Sequence, residues 1–207
     1  MMDSKKSACG SVVRLMRSFA GFLRPGLRRP VSSVRTRVLL VVEGPNDIEF
    51  LRRISAILHR DDARLPDLAE MEGRLALVFA PSGGVKLSSA FRFAGLGLPE
   101  FHLLDRDTPP ATQSRQQVAA MVNSRPSCRA VVTSKRSLEN YRHPAAVFEV
   151  SGISVAISDH ENVPELVALH HNPSVCQSPY RCYVRKNSAA SIAGAPLAVH
   201  SPPALHV

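Results

Sequence analysis

No run of apolar residues in this chain reaches transmembrane length, so no membrane-spanning segment is expected. Cysteine is scarce. Cys9, Cys128, Cys176 and Cys182 are scattered, and the last two, separated by five residues, match neither a zinc nor a redox spacing. Nothing demands disulfides, so a reducing cytoplasm is the expected compartment. The GxxxxGK[ST] pattern is missing, which excludes a P-loop within the chain. His160, His170 and His171 lack a recognisable metal spacing. Acidic residues are absent from residue 173 onwards, where Pro, Ser and Ala dominate, and residues 196–207 read as disordered.

Charge is unevenly placed. The net charge of +9 first suggests a nucleic-acid binder. Residues 1–37, however, hold nine Lys/Arg against the single acid Asp3, while the remainder is nearly balanced, with 17 Lys/Arg and 16 Asp/Glu. Arg14, Arg17 and Arg24 interrupt the apolar stretch of this arm, so it is not a secretory signal. Three readings stay open for it: a disordered or non-native extension, a basic nucleic-acid-binding tail, and an organellar presequence. The expected organisation is a disordered basic arm over residues 1–36, one domain over residues 37–172, and an atypical tail over residues 173–207.

Within the domain, residues 37–42 form a continuous Val/Leu run, the pattern of a central strand buried on both faces. Residues 47–58 predict a helix with Ile48, Leu51, Ile54 and Leu58 on one stripe and Asn46 as N-cap. Residues 60–73 read as a polar excursion, 75–79 as a strand, 81–84 as a turn and 85–94 as a short helix. Residues 101–104 and 130–133 predict further strands, with a helix at 114–123 between them. This alternation implies an α/β fold, a mostly parallel sheet flanked by helices. Signals weaken after Tyr141: residues 146–150 form a short strand or helix, and residues 163–171 a helix.

Four carboxylates stand where such a sheet binds ligands, beyond the C-terminal ends of its strands. Glu43 ends the first apolar run. Asp47 follows in the first helical turn, where it can also serve the helix terminus. Asp105 and Asp107 follow the third strand, two apart on what reads as extended backbone, which points both to one side. If the first and third strands are neighbours, all four converge. Like charges that close need a neutralising cation, and an all-oxygen donor set favours Mg²⁺ or Mn²⁺ over Zn²⁺.

Glu-Gly-x-x-Asp-x-x-Phe-Leu at 43–51, followed by Asp-x-Asp at 105–107, resembles the TOPRIM domain of topoisomerases, bacterial primases, maturation nucleases and OLD (overcoming lysogenization defect) nucleases. Pro81-Ser82-Gly83-Gly84-Val85-Lys86 stands where that family has a Gly-Gly segment. Ser134-Lys135-Arg136-Ser137-Leu138-Glu139-Asn140-Tyr141 resembles the Arg-x-x-Leu-Glu-Asn-Tyr segment of OLD-like members.

The resemblance implies a TOPRIM-like, Rossmann-like fold and a Mg²⁺- or Mn²⁺-dependent DNA endonuclease. Glu43, Asp105 and Asp107 would be catalytic metal ligands, Asp47 would complete a second metal position, and Glu139 would be a further ligand or orienting group. Lys86, Arg106, Lys135 and Arg136 would contact nucleic acid. Family members usually carry an ATPase domain and a downstream catalytic lysine. Any ATPase would here be a separate partner, with a homodimer as a further expectation, and Lys186 is the nearest substitute for the lysine. The alternative is a catalytically impaired module that binds nucleic acid or a partner ATPase.

Overall fold

The computed structural model describes residues 3–23, 38–84 and 86–171. Its centre is β1, Val38–Val42, with all five residues buried. Val38, Leu40 and Val42 face one apolar cluster, and Leu39 and Val41 face another, as a continuous Val/Leu run requires. β2 is Leu77–Pro81, β3 is Glu100–Leu104 and β4 is Cys128–Val132. The spatial order is β2-β1-β3-β4, and every pairing is parallel. β1 and β3 are thus neighbours, with Leu40 opposite Phe101. The fold is an α/β sheet flanked by helices on both faces.

On one face lies α2, Pro45–Asp61, which buries Phe50, Leu51 and Leu58 against the sheet. It starts earlier than the sequence reading had it. Gly44, not Asn46, is the N-cap, and Pro45 occupies the first helical turn, where its missing N–H costs nothing. The expected polar excursion at 60–73 contains α3, Leu68–Gly73, capped by Asp67, whose carboxylate accepts from the Ala69 and Glu70 amides. Leu68 is its one buried residue, too little for a periodic signal. The opposite face carries α4, Ala111–Asn123, whose Val118 and Val122 pack with Leu104 and Ala130. The expected helix at 85–94 is instead a pair of 3-10 turns, Leu87–Phe91 and Ala94–Leu96.

The face that carries α2 also holds α1, Asp3–Leu23. Residues 3–23 of the expected arm are therefore helical, while residues 24–36 of it lie outside the described residues. Val12, Met16 and Phe19, spaced i, i+4, i+7, are buried in the main core with β1, α2 and β3. Phe19 and Phe22 both set their edges against the buried Phe101 ring, at 5.0 and 5.5 Å between centroids. Arg14 and Arg17, which break the apolar run in the linear sequence, fall on the exposed side. Two further helices follow, α5 at Pro144–Ser151 and α6 at Val163–His171. Val147, Val155, Val163 and Val167 gather them into a small separate cluster. No helix among the described residues is long and apolar enough to cross a membrane.

Candidate metal centre

The C-terminal edges of β1 and β3 place two carboxylates side by side, and the following loops add the rest. Glu43 is the first residue past β1. Its carboxyl is pushed up to about 7, chiefly by burial, against the pull of Arg115 and with the push of Asp107, Asp47 and Glu139. Asp47 sits in the first turn of α2, where its Oδ2 accepts the Gly44 amide at 2.9 Å. The helix-terminus role read from its position is therefore present. Burial also raises it to about 6 against that bond, with Glu139 adding to the rise.

Asp105 is the most perturbed. Burial lifts it to about 9, and Asp47, Glu43, Glu139 and Asp107 all add to that. No hydrogen bond or ion pair reaches its carboxyl among the described residues. Asp107 arrives differently from the extended geometry expected of it. The strand ends at Leu104, and Asp107 has φ of 55°, a left-handed turn that Asp tolerates better than most residues. Its amide donates to the Arg136 carbonyl at 2.8 Å, and its carboxylate turns to Arg115. Glu139 lies on the 3-10 turn Leu138–Tyr141 and is coupled to Glu43, Asp47 and Asp105. Five acids from three separated segments thus share one electrostatic environment.

Two arginines that the sequence reading did not single out stand among them. Arg115, in the second turn of α4, places Nη2 2.6 Å from Asp107 Oδ2 and 3.1 Å from Glu43 Oε1. The second contact is an ion pair only, since Glu43 Oε1 is buried without a well-formed hydrogen bond. Arg142 lies over the Phe50 ring. Burial pulls it below its ordinary value, while Glu139 and Asp47 oppose that. The one signal for Arg115 was its place, a cation near the start of the helix that follows Asp-x-Asp.

The donor set suits a hard divalent cation in kind: five carboxylates against two arginines, with Glu43 Oε1 and the buried Ser82 hydroxyl making no hydrogen bond among the described residues. The side chains are not gathered around a point, however. Among the described residues, no group of three or more His, Cys, Asp or Glu has ligating geometry. Arg115 occupies space between two of the candidate ligands.

No protein-family model, curated protein or solved structure matches the chain. What the centre does must therefore be argued from its residues.

The loop after β2 runs beside the end of β1. Ser82 N donates to Val42 O at 2.8 Å and Gly83 N to Glu43 O at 3.1 Å, so this loop is tied to the end of β1. Gly83 and Gly84 have φ of 68° and 99°, which a side chain would strain. The segment after β4 is pinned. Tyr141 Oη accepts the Ser134 and Lys135 amides at 3.0 and 3.1 Å, so this tyrosine positions the exit from β4. Asn140 is buried. Its Oδ1 accepts Ser137 N and Oγ, and its Nδ2 donates to Ser158 O at 2.8 Å and Glu161 O at 3.0 Å. Asn140→Ala is expected to lower stability by about 2–3 kcal/mol, since it leaves these groups without partners. Hydrogen exchange should show faster labelling confined first to residues 158–161.

The expected nucleic-acid contacts divide. Lys86 is exposed. Arg106 donates to His160 Nδ1 at 2.8 Å, and Arg136 Nη1 to the His160 carbonyl at 3.3 Å. Lys135 is buried, with Nζ 2.9 Å from the Asn140 carbonyl and 3.0 Å from Asp159 Oδ1, so its ammonium holds the loop at 158–161. Lys186 lies outside the described residues.

At the opposite end of β3, Glu100 is fully buried. Burial pushes its carboxyl up, but hydrogen bonds from Arg125 and His102 outweigh it and hold the group below its ordinary value. His102 Nε2 lies 2.7 Å from Glu100 Oε2, and Arg125 Nη1 3.0 Å from the same oxygen. This network ties β3 to the segment after α4, away from the five acids.

Proposed function

We propose that the chain is a Mg²⁺- or Mn²⁺-dependent DNA endonuclease of the OLD-like TOPRIM kind, hydrolysing phosphodiesters. The observation that carries this reading is the coupling of Glu43, Asp47, Asp105 and Asp107, which follow two adjacent parallel strands, with Glu139 of the turn Leu138–Tyr141. Among the described residues no hydrogen bond or ion pair reaches the Asp105 carboxyl, and carboxylates crowded in this way are costly without a cation.

A divalent ion bound there would lower the pKa of a bound water and offset charge on the scissile phosphate. Glu43, Asp105 and Asp107 would hold it, with Asp47 and Glu139 as second-position ligands. Glu43 would also be the group to take up a proton from an attacking water. The Ser82–Gly84 loop is held against the end of β1, and the exposed Lys86 would be available to a DNA backbone.

Supercoiled plasmid is the test substrate. The full chain is expected to nick it in Mg²⁺ or Mn²⁺, to stop in chelator, and to lose at least about 100-fold in rate with Glu43→Gln. A second reading, a module that binds nucleic acid or a partner ATPase without cleaving, is favoured by the Arg115 bridge between Glu43 and Asp107. DNA binding by fluorescence anisotropy with no nicking in either metal would select it over the nuclease.

A further inference from the structure

We infer that Asn123 is a plug on the free edge of the sheet, and that without it β4 pairs with the β4 of a second copy of this chain. This holds whatever the carboxylates bind. β4 ends the strand order β2-β1-β3-β4, so among the described residues no strand pairs with its outer side. Such an edge is a template for another chain unless its amides and carbonyls are occupied. The ladder fixes which residues face outward. Glu100 N donates to Ser127 O and Thr133 N to Leu104 O, so residues 127, 129, 131 and 133 turn their backbone groups to β3. Cys128, Ala130 and Val132 turn theirs to the outside.

Asn123, the last residue of α4, closes the middle of that edge. Its Oδ1 accepts the Ala130 amide at 2.8 Å, and its Nδ2 donates to the Ala130 carbonyl at 3.2 Å. A carboxamide carries the donor and acceptor of a peptide unit together, so it fills both positions that a neighbouring strand would use. Asn123 is itself exposed, which puts this edge at the surface, within reach of another molecule. The flanking outward amides are also taken. Cys128 N donates to the Arg125 carbonyl at 3.3 Å, and Ser134 N, just past the strand, to Tyr141 Oη at 3.0 Å. Val132 stands between these positions, and one residue is too little for a ladder. The opposite edge is blunted by other means. Ser82 N donates to Val42 O, which sets Pro81 outward on β2, where it offers no N–H. A second copy is the expected partner because every chain would present the same uncovered edge, and a two-fold axis lets two β4 strands pair antiparallel.

Light scattering on a concentration series of the full chain tests this, with amide exchange by NMR to locate the contact. Asn123→Ala is expected to double in mass relative to the wild type as concentration rises, and to return to the wild-type mass on dilution. In dilute Asn123→Ala the Ala130 amide should exchange at least about tenfold faster than in the wild type. In the concentrated variant both Ala130 and Val132 should gain protection. A variant that keeps the wild-type mass at every concentration overturns the plug and leaves Asn123 a brace for the turn after α4. Association with Val132 exchange unchanged overturns it too, since the contact then lies elsewhere. If Asn123→Ala does not fold, the wild type decides. Its Ala130 amide should be protected and its Val132 amide should exchange at a rate independent of concentration. Protection of Val132 that grows with concentration would mean that the edge pairs with Asn123 in place, and rejects the plug.

Discussion

Asp105→Asn is expected to make the metal-free protein more heat-stable at pH 8 while abolishing metal binding and cleavage. Asp105 is lifted from its ordinary 3.8 to about 9, by burial first and then by four neighbouring acids. Below about pH 4 the group is protonated in both folded and unfolded chains, and its effect on folding is neutral. Between about 4 and 9 the folded chain keeps the proton that the unfolded chain has released. The folded state therefore binds more protons, and stability falls as pH rises through that window. Above about 9 the loss is complete.

An amide at this position carries no charge at any of these pH values, so the variant lacks that slope. We expect Asp105→Asn to gain about 2 kcal/mol at pH 8, a rise in Tm of roughly 4–8 °C for a chain of this size. The gain should vanish near pH 4. Saturating Mg²⁺ should raise the wild-type Tm and leave that of the variant unmoved. Thermal melts of both proteins from pH 4 to 9, with and without Mg²⁺, check this. A variant less stable than the wild type at pH 8 would show that Asp105 has a structural partner the pocket needs.

Phe19→Ala is expected to destabilise the protein by about 3–5 kcal/mol, enough to lower Tm by roughly 10 °C. Phe19 is 2% exposed and packs edge-on with Phe101, which is itself 1% exposed and lies in β3. Truncation leaves a cavity between α1 and the sheet and removes an aromatic pair worth about 0.5–1.5 kcal/mol beyond its buried area. Denaturant melts measure the change, and Arg14→Ala, on the exposed side of the same helix, should cost less than about 0.5 kcal/mol. If residues 1–36 were a disordered arm, the two substitutions would behave alike.

Much of the scaffold was legible in the residues. The unbroken Val/Leu run of β1 has no polar position to offer water, so it had to lie in the sheet interior with both faces covered. A parallel sheet then puts Glu43 and Asp105 at its ligand-binding edge, and the convergence expected if β1 and β3 were neighbours is what their pairing delivers. Asn140 and Tyr141 stood out only as the end of the Leu-Glu-Asn-Tyr segment, and they pin the β4 exit and the loop at 158–161. Short elements were less legible. Neither α3 nor the 3-10 turns span enough residues for a period to register, and α1 was obscured because its arginines break the linear run yet leave a clean buried stripe once wound.

By itself the sequence determined the parallel α/β architecture and the carboxylates at its edge, because both follow from local pattern: apolar runs seek the interior, and what directly follows a strand sits at its end. Only the tertiary structure decided the electrostatics of the pocket. Which acids are buried, that Arg115 bridges Glu43 and Asp107, that Arg142 stands beside Asp47 and Glu139, and that Lys135 turns inward all depend on residues far apart in the chain. Desolvation and Coulomb interaction are set by distance in space and by what excludes water, and neither quantity is written in spacing along the sequence.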